Sequence, residues 1–247
     1  MPRFGSLDLK AWSATAPVID GYKTEPWELK NVQTVEVRHE IGDVEAVALL
    51  PPALHPSIPA YATFRISRIA ESPVGAFGWC EVRVVGRAVG IPVGFVLRCF
   101  CDNAAAAREM GARWGYPVTH GESTIATLHY HVSAAVTSRG RAILEVEMRN
   151  REQSLSLLPL PAVNLARNNT DDSLVLVQVD NEAEVSRSER GNYRIATLDR
   201  DAIGAAGAMR LANPMSATLS TANLTLPRIQ YIYDPARPAE EGRTVLA

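Results

Sequence analysis

The chain contains very little lysine. Only Lys10, Lys23 and Lys30 occur among 247 residues, and the other basic residues are arginines. Catalysis through an imine requires a primary amine in the pocket. Chemistry of that kind would therefore have to draw its amine from the first thirty residues.

Cysteine is equally scarce, with Cys80, Cys99 and Cys101 as its three occurrences. An odd number of cysteines, each within an apolar run, indicates buried reduced thiols rather than a disulfide framework. Cys99 and Cys101 have the spacing of a metal-binding pair, but no second cysteine or histidine pair with ligand spacing accompanies them. We expect no metal and no cofactor.

Long hydrophobic runs and strong charge are absent as well. No stretch approaches the roughly 18 uncharged apolar residues of a membrane span, and the first residues lack the apolar region of a signal peptide. A net charge of -2 gives no basic face for nucleic acid. These features predict a cytoplasmic protein whose partners include neither nucleic acid nor membrane.

What the sequence does contain is a series of apolar runs separated by turn signals, and 47% of its residues are hydrophobic. Residues 1–30 are irregular in polarity and predict an N-terminal arm, and residues 31–247 predict a single domain. Helices are predicted at 104–113 and, more briefly, at 43–50, with a helix or loop at 198–211. Strands are predicted at 32–38, 60–69, 76–85, 90–101, 123–136, 142–149, 174–179, 216–226 and 228–233. This pattern favours a mainly β fold, a single antiparallel barrel with few helices.

One segment carries a family resemblance. Residues 101–113, CDNAAAAREMGAR, lead directly into WGYPVT at 114–119. This order resembles the active-site segment of the acetoacetate decarboxylase superfamily. In true decarboxylases of that family the Tyr-Pro is followed by two lysines, and the first forms a Schiff base with the keto acid. Here Val118 and Thr119 occupy those positions.

Three further segments resemble the same family in the same order. They are LLPPAL at 49–54, SPVGAF at 72–77 followed by Glu81 and IPV at 91–93, and ANLTLPR at 222–228 with YIY at 231–233. The resemblance covers nearly the whole chain. It implies a barrel that encloses an apolar pocket, and it implies a homo-oligomer. It does not fix a reaction, because one fold hosts many chemistries.

Three residues are predicted to be catalytic. Glu81 falls where the family has a catalytic-site glutamate, and its apolar neighbours predict an inward carboxyl with a raised pKa, suited to general acid or base work. The alternative is that strand alternation points Glu81 outward into solvent. The Tyr116 hydroxyl would donate to a substrate carbonyl, or its ring would simply pack beside Trp114. His120 would replace the missing base, or it is a surface residue at the start of a loop.

The predicted substrate-binding residues are Trp114, Val118, Thr119 and Arg98. Val118 and Thr119 would line the pocket wall, and Arg98, which lies among apolar residues, would need a carboxylate such as Glu81. The family also holds the substrate carboxylate with an arginine of its first strand. No arginine occurs at the corresponding position, which favours a less acidic or more apolar ligand.

Two histidines in the predicted strand 123–136 are candidate metal ligands. His129 and His131 are two residues apart, so in a continuous strand they would share one face. No third ligand accompanies them in the sequence, and an exposed polar face is the favoured interpretation.

The sequence therefore predicts a cofactor-free enzyme that acts on an enolisable carbonyl compound or a polyketide-like intermediate in secondary metabolism, without a Schiff base. Cyclisation, isomerisation, dehydration and imine-free decarboxylation all remain open. The alternative is a carrier barrel that binds an apolar or carbonyl-containing small molecule without turnover. A third possibility is a structural homologue without activity. A true acetoacetate decarboxylase is excluded by Val118.

Overall fold

The computed structural model describes residues 3–155, 160–204 and 209–246. These residues form sixteen strands and four helices, so the fold is mainly β as predicted. The helices are α1 Leu9–Ser13, α2 Asp43–Leu49, α3 Ala104–Trp114 and α4 Ala239–Gly242. None of the described helices is long and apolar enough to cross a bilayer.

The sixteen strands have the following order along the chain. They are β1 Val18–Ile19, β2 Trp27–Ile41, β3 His55–Pro56, β4 Tyr61–Glu71, β5 Phe77–Ala88, β6 Ile91–Cys101, β7 Val118–His120, β8 Glu122–Leu128, β9 His131–Ser138, β10 Arg141–Gln153, β11 Ala162–Asn168, β12 Leu174–Val179, β13 Glu182–Leu198, β14 Leu211–Leu226, β15 Tyr231–Tyr233 and β16 Arg243–Val245.

All sixteen strands belong to one sheet, whose main order is β16-β15-β12-β11-β6-β5-β4-β2-β14-β13-β10-β9-β8. The sheet curls so that β8, at one end of this order, packs near β4, β5 and β6. Among the described residues no hydrogen-bonded pairing closes the sheet, so the predicted closed barrel is not confirmed. Most pairs are antiparallel, but β11 with β6, β6 with β7 and β1 with β11 are parallel.

The central strands separate two hydrophobic cores, because successive side chains of a strand point to opposite faces. On β5, Cys80 and Val82 belong to the larger core, which β9, β10, β13 and β14 complete from the other side of the curl. Phe77 and Trp79 of the same strand point to a smaller core with Trp114 and the chain around α3. Glu81 shares the face of Phe77 and Trp79, so it does not point into the larger core.

Most predicted elements are confirmed, with differences at particular residues. The predicted strand 123–136 is wrong as one element, since His129 has a φ of 27° and a turn divides it into β8 and β9. The predicted shared face of His129 and His131 is lost with it. In the stretch 198–211, the described residues 200–204 form a turn rather than a helix, and residues 205–208 lie outside the described part.

The predicted arm contributes more to the fold than its irregular polarity indicated. Strand β2 begins at Trp27, inside the segment assigned to the arm. Leu7 is buried in the larger core, and Ile19 and Trp27 are buried in the smaller one. The division at residue 30 therefore does not coincide with the start of the sheet.

Helix α3 sets the position of the Gly-Tyr-Pro segment. Asn103 caps its first turn by accepting hydrogen bonds from the backbone of Ala105 and Ala106. Gly115 ends it in the left-handed conformation, with a φ of 71°. A Cβ at Gly115 would meet the Cβ of Ala166 at 2.8 Å. Glycine is thus required at this position both by the backbone conformation and by the contact with β11.

We predict that Gly115→Ala destabilises the protein more than Gly140→Ala. Gly140 has a similar φ of 73° but no atom within 4 Å of an added Cβ. Both variants carry the cost of left-handed alanine, about 1–2 kcal/mol, and only Gly115→Ala adds overpacking of about 1–3 kcal/mol. Urea denaturation of both variants measures the difference. Equal losses would contradict the close contact with Ala166.

Candidate functional site

The candidate site lies on the face of the sheet that carries the smaller core. The strand register aligns side chains there in transverse rows, and one row contains Glu36, Arg65, Glu81, Cys99 and Val118 in that order. Val118 therefore lies two strands from Glu81, about 10 Å away at the usual strand spacing. The register brings Val118, where the resemblance predicts a lysine, onto the same face as the predicted catalytic carboxylate.

Glu81 is buried, with 5% of its surface exposed, and each of its carboxylate oxygens has a partner. Oε1 accepts a hydrogen bond of 2.7 Å from the indole N–H of Trp79. Oε2 accepts from Arg83 Nε at 2.5 Å, and it also contacts Arg83 Nη2. Arg65 Nη1 lies 3.9 Å from Oε2. Glu81 is thus buried rather than solvated, but it lies on the face of the smaller core and not inside the curl of the sheet, where the prediction of an inward carboxyl placed it.

The predicted direction of the Glu81 pKa is wrong. Burial raises the pKa of this carboxyl, as expected, but the guanidiniums of Arg83 and Arg65 and the Trp79 hydrogen bond together lower it below its ordinary value. Nearby cations favour the charged form of an acid, and here they outweigh desolvation. Glu81 is therefore a carboxylate at neutral pH.

The ion pairs around Glu81 contain more positive than negative charge. Arg83 also donates a hydrogen bond of 2.9 Å to the carbonyl of Leu160, and Arg65 Nε lies 3.0 Å from the Glu36 carboxylate. Glu36 in turn accepts from Arg38 at 2.9 Å. Three guanidiniums thus face two carboxylates. Glu36 and Arg38 retain 16% and 20% of their side-chain exposure, so the cluster reaches solvent over β2.

Tyr116 lies between Trp79 and the ion pairs. It is fully buried, its ring packs edge to face on Trp79 with centroids 5.5 Å apart, and its hydroxyl makes no hydrogen bond to the described residues. Burial raises the pKa of this hydroxyl, and the charge of Glu81 adds to the effect. Tyr116 is therefore a neutral hydroxyl. Both of its predicted roles, donor and packed aromatic, are compatible with this environment.

Two predicted substrate-binding residues, Arg98 and Trp114, make their contacts away from Glu81. Arg98 pairs with Val82 on the side of the larger core, and its guanidinium lies near Gly204. The suggested pairing of Arg98 with Glu81 is wrong, because Arg98 and its neighbour Cys99 point to opposite faces. Trp114 is buried and donates its indole N–H to the carbonyl of Pro227 at 2.9 Å, which indicates a packing role.

The remaining predicted residues lie on β7. Val118 is half-buried on the face of Glu81, whereas Thr119 pairs with Phe100 and belongs to the opposite face. His120 is exposed, and its backbone carbonyl accepts a hydrogen bond of 2.6 Å from Ser138 Oγ. The surface interpretation of His120 thus agrees with its exposure. A binding role for Val118 and a catalytic role for His120 stay predictions.

Sequence reasoning identified Glu81 but missed several of the residues that contact it. Trp79, Glu81 and Arg83 alternate along β5, so their shared face was visible in the sequence. Arg65 and Glu36 come from other strands, and only the register brings them to Glu81. Asn181, between β12 and β13, was also missed: it approaches the Tyr116 hydroxyl, and no local pattern marks it.

Comparison with known proteins identifies the fold. No protein-family model matches the chain, and no curated protein matches its sequence. An acetoacetate decarboxylase from Legionella pneumophila superposes with a TM-score of 0.74 at 18% identity, covering 85% of this chain and 88% of that chain. An acetoacetate decarboxylase-like enzyme from Sphingomonas wittichii RW1 gives 0.68 at 12% identity, covering 90% and 93%.

A third solved structure has the same fold. It is the enduracididine biosynthesis enzyme MppR, complexed with the condensation product of pyruvate and imidazole 4-carboxaldehyde. Its TM-score is 0.66 at 18% identity, and 82% of this chain and 87% of that chain are covered. At these identities the likeness shows the fold alone. The chain has an acetoacetate decarboxylase-like fold.

We predict that Glu81→Gln destabilises the protein at pH 7 by about 3–5 kcal/mol, because it leaves two buried guanidiniums without their carboxylate. The folded pKa of Glu81 is lowered, so its contribution is complete above the ordinary value of 4.5 and is lost as the pH falls through the folded pKa. The difference in the free energy of unfolding between wild type and variant should therefore decrease below pH 4.5. Urea denaturation at pH 7 and at several acidic pH values measures it.

Glu109→Gln serves as the control for this prediction. Glu109 also has a lowered pKa, caused mainly by hydrogen bonds from Arg113 and Arg108, but its side chain is partly exposed on α3. Solvent screening limits an ion pair of this kind to about 1 kcal/mol or less. A loss for Glu81→Gln no larger than that of Glu109→Gln would contradict the buried ion pair.

Proposed function

We propose that this protein is an acetoacetate decarboxylase-like enzyme that acts on an enolisable carbonyl compound without forming an imine. The observation that carries the proposal is the position of Glu81 and Tyr116. A buried carboxylate and a neutral hydroxyl without a described partner share one face of this fold with Val118. No cofactor enters the proposal.

The lysine content supports chemistry without a Schiff base. Val118 has no lone pair, so it cannot attack a carbonyl. A lysine becomes a nucleophile near neutral pH when desolvation or a neighbouring cation lowers the pKa of its ammonium group. All three lysines of this chain are exposed residues at or before position 30, so none of them has such an environment on the face of Glu81.

The first chemical step is proton transfer. Glu81 accepts a proton from the carbon next to the substrate carbonyl, the electron pair of the broken C–H bond forms the C=C bond of the enolate, and the π pair of the carbonyl moves to its oxygen. The Tyr116 hydroxyl donates a hydrogen bond to the enolate oxygen that results. Reprotonation at another carbon gives isomerisation, and attack of the enolate on a second carbonyl gives cyclisation.

The excess of positive charge favours a substrate that also carries an anionic group, in contrast to the less acidic ligand that the sequence favoured. Arg65 and Arg38 lie at the more exposed part of the ion cluster. An anion bound at Arg65 would neutralise a cation that now lowers the Glu81 pKa, and the added negative charge would raise that pKa towards the working range of a base. Substrate binding would thereby activate Glu81.

The structural likeness to MppR supports a carbonyl substrate. That enzyme is complexed with a condensation product of pyruvate in one structure and with pyruvate in another. Small carbonyl acids therefore occupy at least one protein of this fold. We extend this substrate class to the present chain, and we place the chain in a biosynthetic role of the same general kind.

A carrier without turnover is the second candidate. One observation favours it: Arg83 and Arg65 keep Glu81 ionised and its pKa low, and a base of low pKa is a poor proton acceptor. In a carrier the same arginines would bind an anionic carbonyl compound and the reaction would stop there. Binding without proton exchange distinguishes this candidate from the enzyme.

We predict that the wild-type protein forms no imine with acetoacetate, whereas Val118→Lys gains one. The added amine would stand two strands from Glu81 on the same face. Thr119→Lys is the matched control, because Thr119 belongs to the opposite face. Incubation with acetoacetate and borohydride followed by intact mass measurement detects the adduct. A wild-type adduct on a lysine that tracks with activity would contradict the imine-free mechanism.

We further predict that the wild-type protein exchanges the methyl protons of pyruvate with D₂O, and does so faster than those of acetone, which lacks the anion. Glu81→Gln should lower the exchange rate by about 10²–10⁴-fold, the usual contribution of a general base. Proton NMR measures the rate, and circular dichroism confirms that each variant is folded.

Two comparisons complete this experiment. Asn213→Leu, at an exposed residue that bonds Glu40, should leave the exchange rate unchanged. Tyr116→Phe, which keeps the ring and removes the donor, should slow exchange by about 10²-fold. Pyruvate that binds without any exchange would favour the carrier, and exchange that survives Glu81→Gln in a folded variant would exclude Glu81 as the base.

A further inference from the structure

Arg98 differs from the other arginines that the fold encloses. It is half-buried, its Nε is buried without a hydrogen bond, and no carboxylate of the described residues pairs with it. The residues outside the described ranges contain no aspartate or glutamate. A charge with little access to water is costly without a counter-charge. The other buried or half-buried arginines each form an ion pair with a carboxylate; they are Arg38, Arg65, Arg83, Arg113, Arg151 and Arg167.

Arg98 lines a small cavity between the N-terminal arm and the sheet. The arm contributes residues 12 and 15–17, and the rest of the lining is residues 96–98 of β6 with Pro117 and Leu165. Apart from Arg98, the polar side chains of the lining are Trp12 and Thr15, and none of the lining residues is acidic. The space open to the centre of a water-sized group is about 10 Å³, and one such group needs about 10–15 Å³.

Contacts from three parts of the chain hold the walls of this cavity. The Trp12 ring packs on Phe95 with centroids 6.0 Å apart. A Cβ at Gly204 would lie 3.5 Å from Arg98 Nη2 and 3.7 Å from the Trp12 ring, so the guanidinium, α1 and this turn converge. The Pro17 carbonyl accepts a hydrogen bond of 2.8 Å from the backbone N–H of Arg167, which fixes the arm to β11. The cavity is therefore formed by the fold itself.

We propose that the cavity beside Arg98 binds a small monovalent anion of the chloride class. The anion supplies the counter-charge of Arg98 and joins the arm to β6. This site is separate from that of Glu81, because Arg98 pairs with Val82 on the side of the larger core, whereas Glu81 points to the opposite face.

The chemistry of the lining explains the choice of ligand. A guanidinium and an indole N–H only donate hydrogen bonds, and the Thr15 hydroxyl can also donate, so the ligand must accept. A single guanidinium balances one negative charge, and no second cation lines the cavity. Sulfate and phosphate carry more charge and need more room. A water molecule fits the space but leaves the charge of Arg98 without compensation.

The test measures chloride binding in solution by chlorine NMR, because the chloride resonance broadens when the ion exchanges with a protein site. The excess line width is compared for wild type, Arg98→Gln and Arg87→Gln, with sodium gluconate keeping the ionic strength constant. Arg87 is the matched control, since it is an exposed arginine of β5 without an ion pair to the described residues. Bromide and sulfate serve as competitors, and circular dichroism checks that each variant is folded.

We expect wild type to broaden the chloride resonance, and bromide but not sulfate to reverse the effect. Arg98→Gln should lower the excess line width by about tenfold or more, the factor that a hydrogen bond to a charged group supplies. Arg87→Gln should stay within about twofold of wild type. Chloride should also raise the folding equilibrium constant of wild type in urea denaturation, by the factor that the same dissociation constant dictates.

Crystals grown in sodium bromide locate the ion independently of any variant. The anomalous signal of bromine should give a peak in contact with the Arg98 guanidinium, between α1 and β6. A water there without anomalous signal would overturn the proposal, as would an excess line width that is unchanged in Arg98→Gln. Equal losses in Arg98→Gln and Arg87→Gln would mean general attraction to a positive surface. A bromide peak without line broadening in solution would mean binding at crystal concentration only, and it would also overturn the proposal.

Discussion

The buried contact between Glu81 and Arg83 is the interaction on which the rest of the site depends. Both side chains are almost completely enclosed, and an isolated charge in that position would be strongly destabilising. Each is stabilised because the other is present, with Trp79 and Arg65 completing the coordination of the carboxylate. Removal of either partner leaves a charge that water cannot reach, so the two residues act as one unit.

The surrounding chain is shaped around this unit. A Cβ at Gly94 would lie 2.7 Å from Arg83 Cδ. Because glycine has no side chain, the Arg83 side chain can cross β6 at this point. At the end of this side chain, Arg83 Nη1 donates a hydrogen bond to the carbonyl of Leu160. Arg83 thereby connects the carboxylate on β5 to the chain that precedes β11. The carboxylate is fixed in position before any ligand arrives, which is the condition for electrostatic catalysis.

The sequence predicted those elements whose signal is local. Helix α3 begins at an asparagine cap and ends at a glycine, and the apolar flanks of Glu81 correctly indicated burial. Strand β13 was missed because polar residues occupy most of its positions, and its apolar residues that pack against the larger core, Tyr193, Ile195 and Leu198, lie only near its end. The turn at His129 was missed because neither glycine nor proline marks it. The lowered pKa of Glu81 depends first on Arg83, two residues further along the same strand, and then on Arg65, a cross-strand neighbour that only the register reveals.

The arginines of the site differ in one chemical respect from the lysine that the family resemblance predicts at position 118. An amine can lose its proton and become a nucleophile, whereas a guanidinium remains charged in a protein and cannot. With cations supplied by Arg38, Arg65 and Arg83, the site can attract an anionic carbonyl compound and stabilise negative charge. It cannot form a covalent adduct through them. In the proposed mechanism, replacing a titratable amine by permanent charges thus moves the chemistry from imine formation to proton transfer, with Tyr116 as the neutral donor.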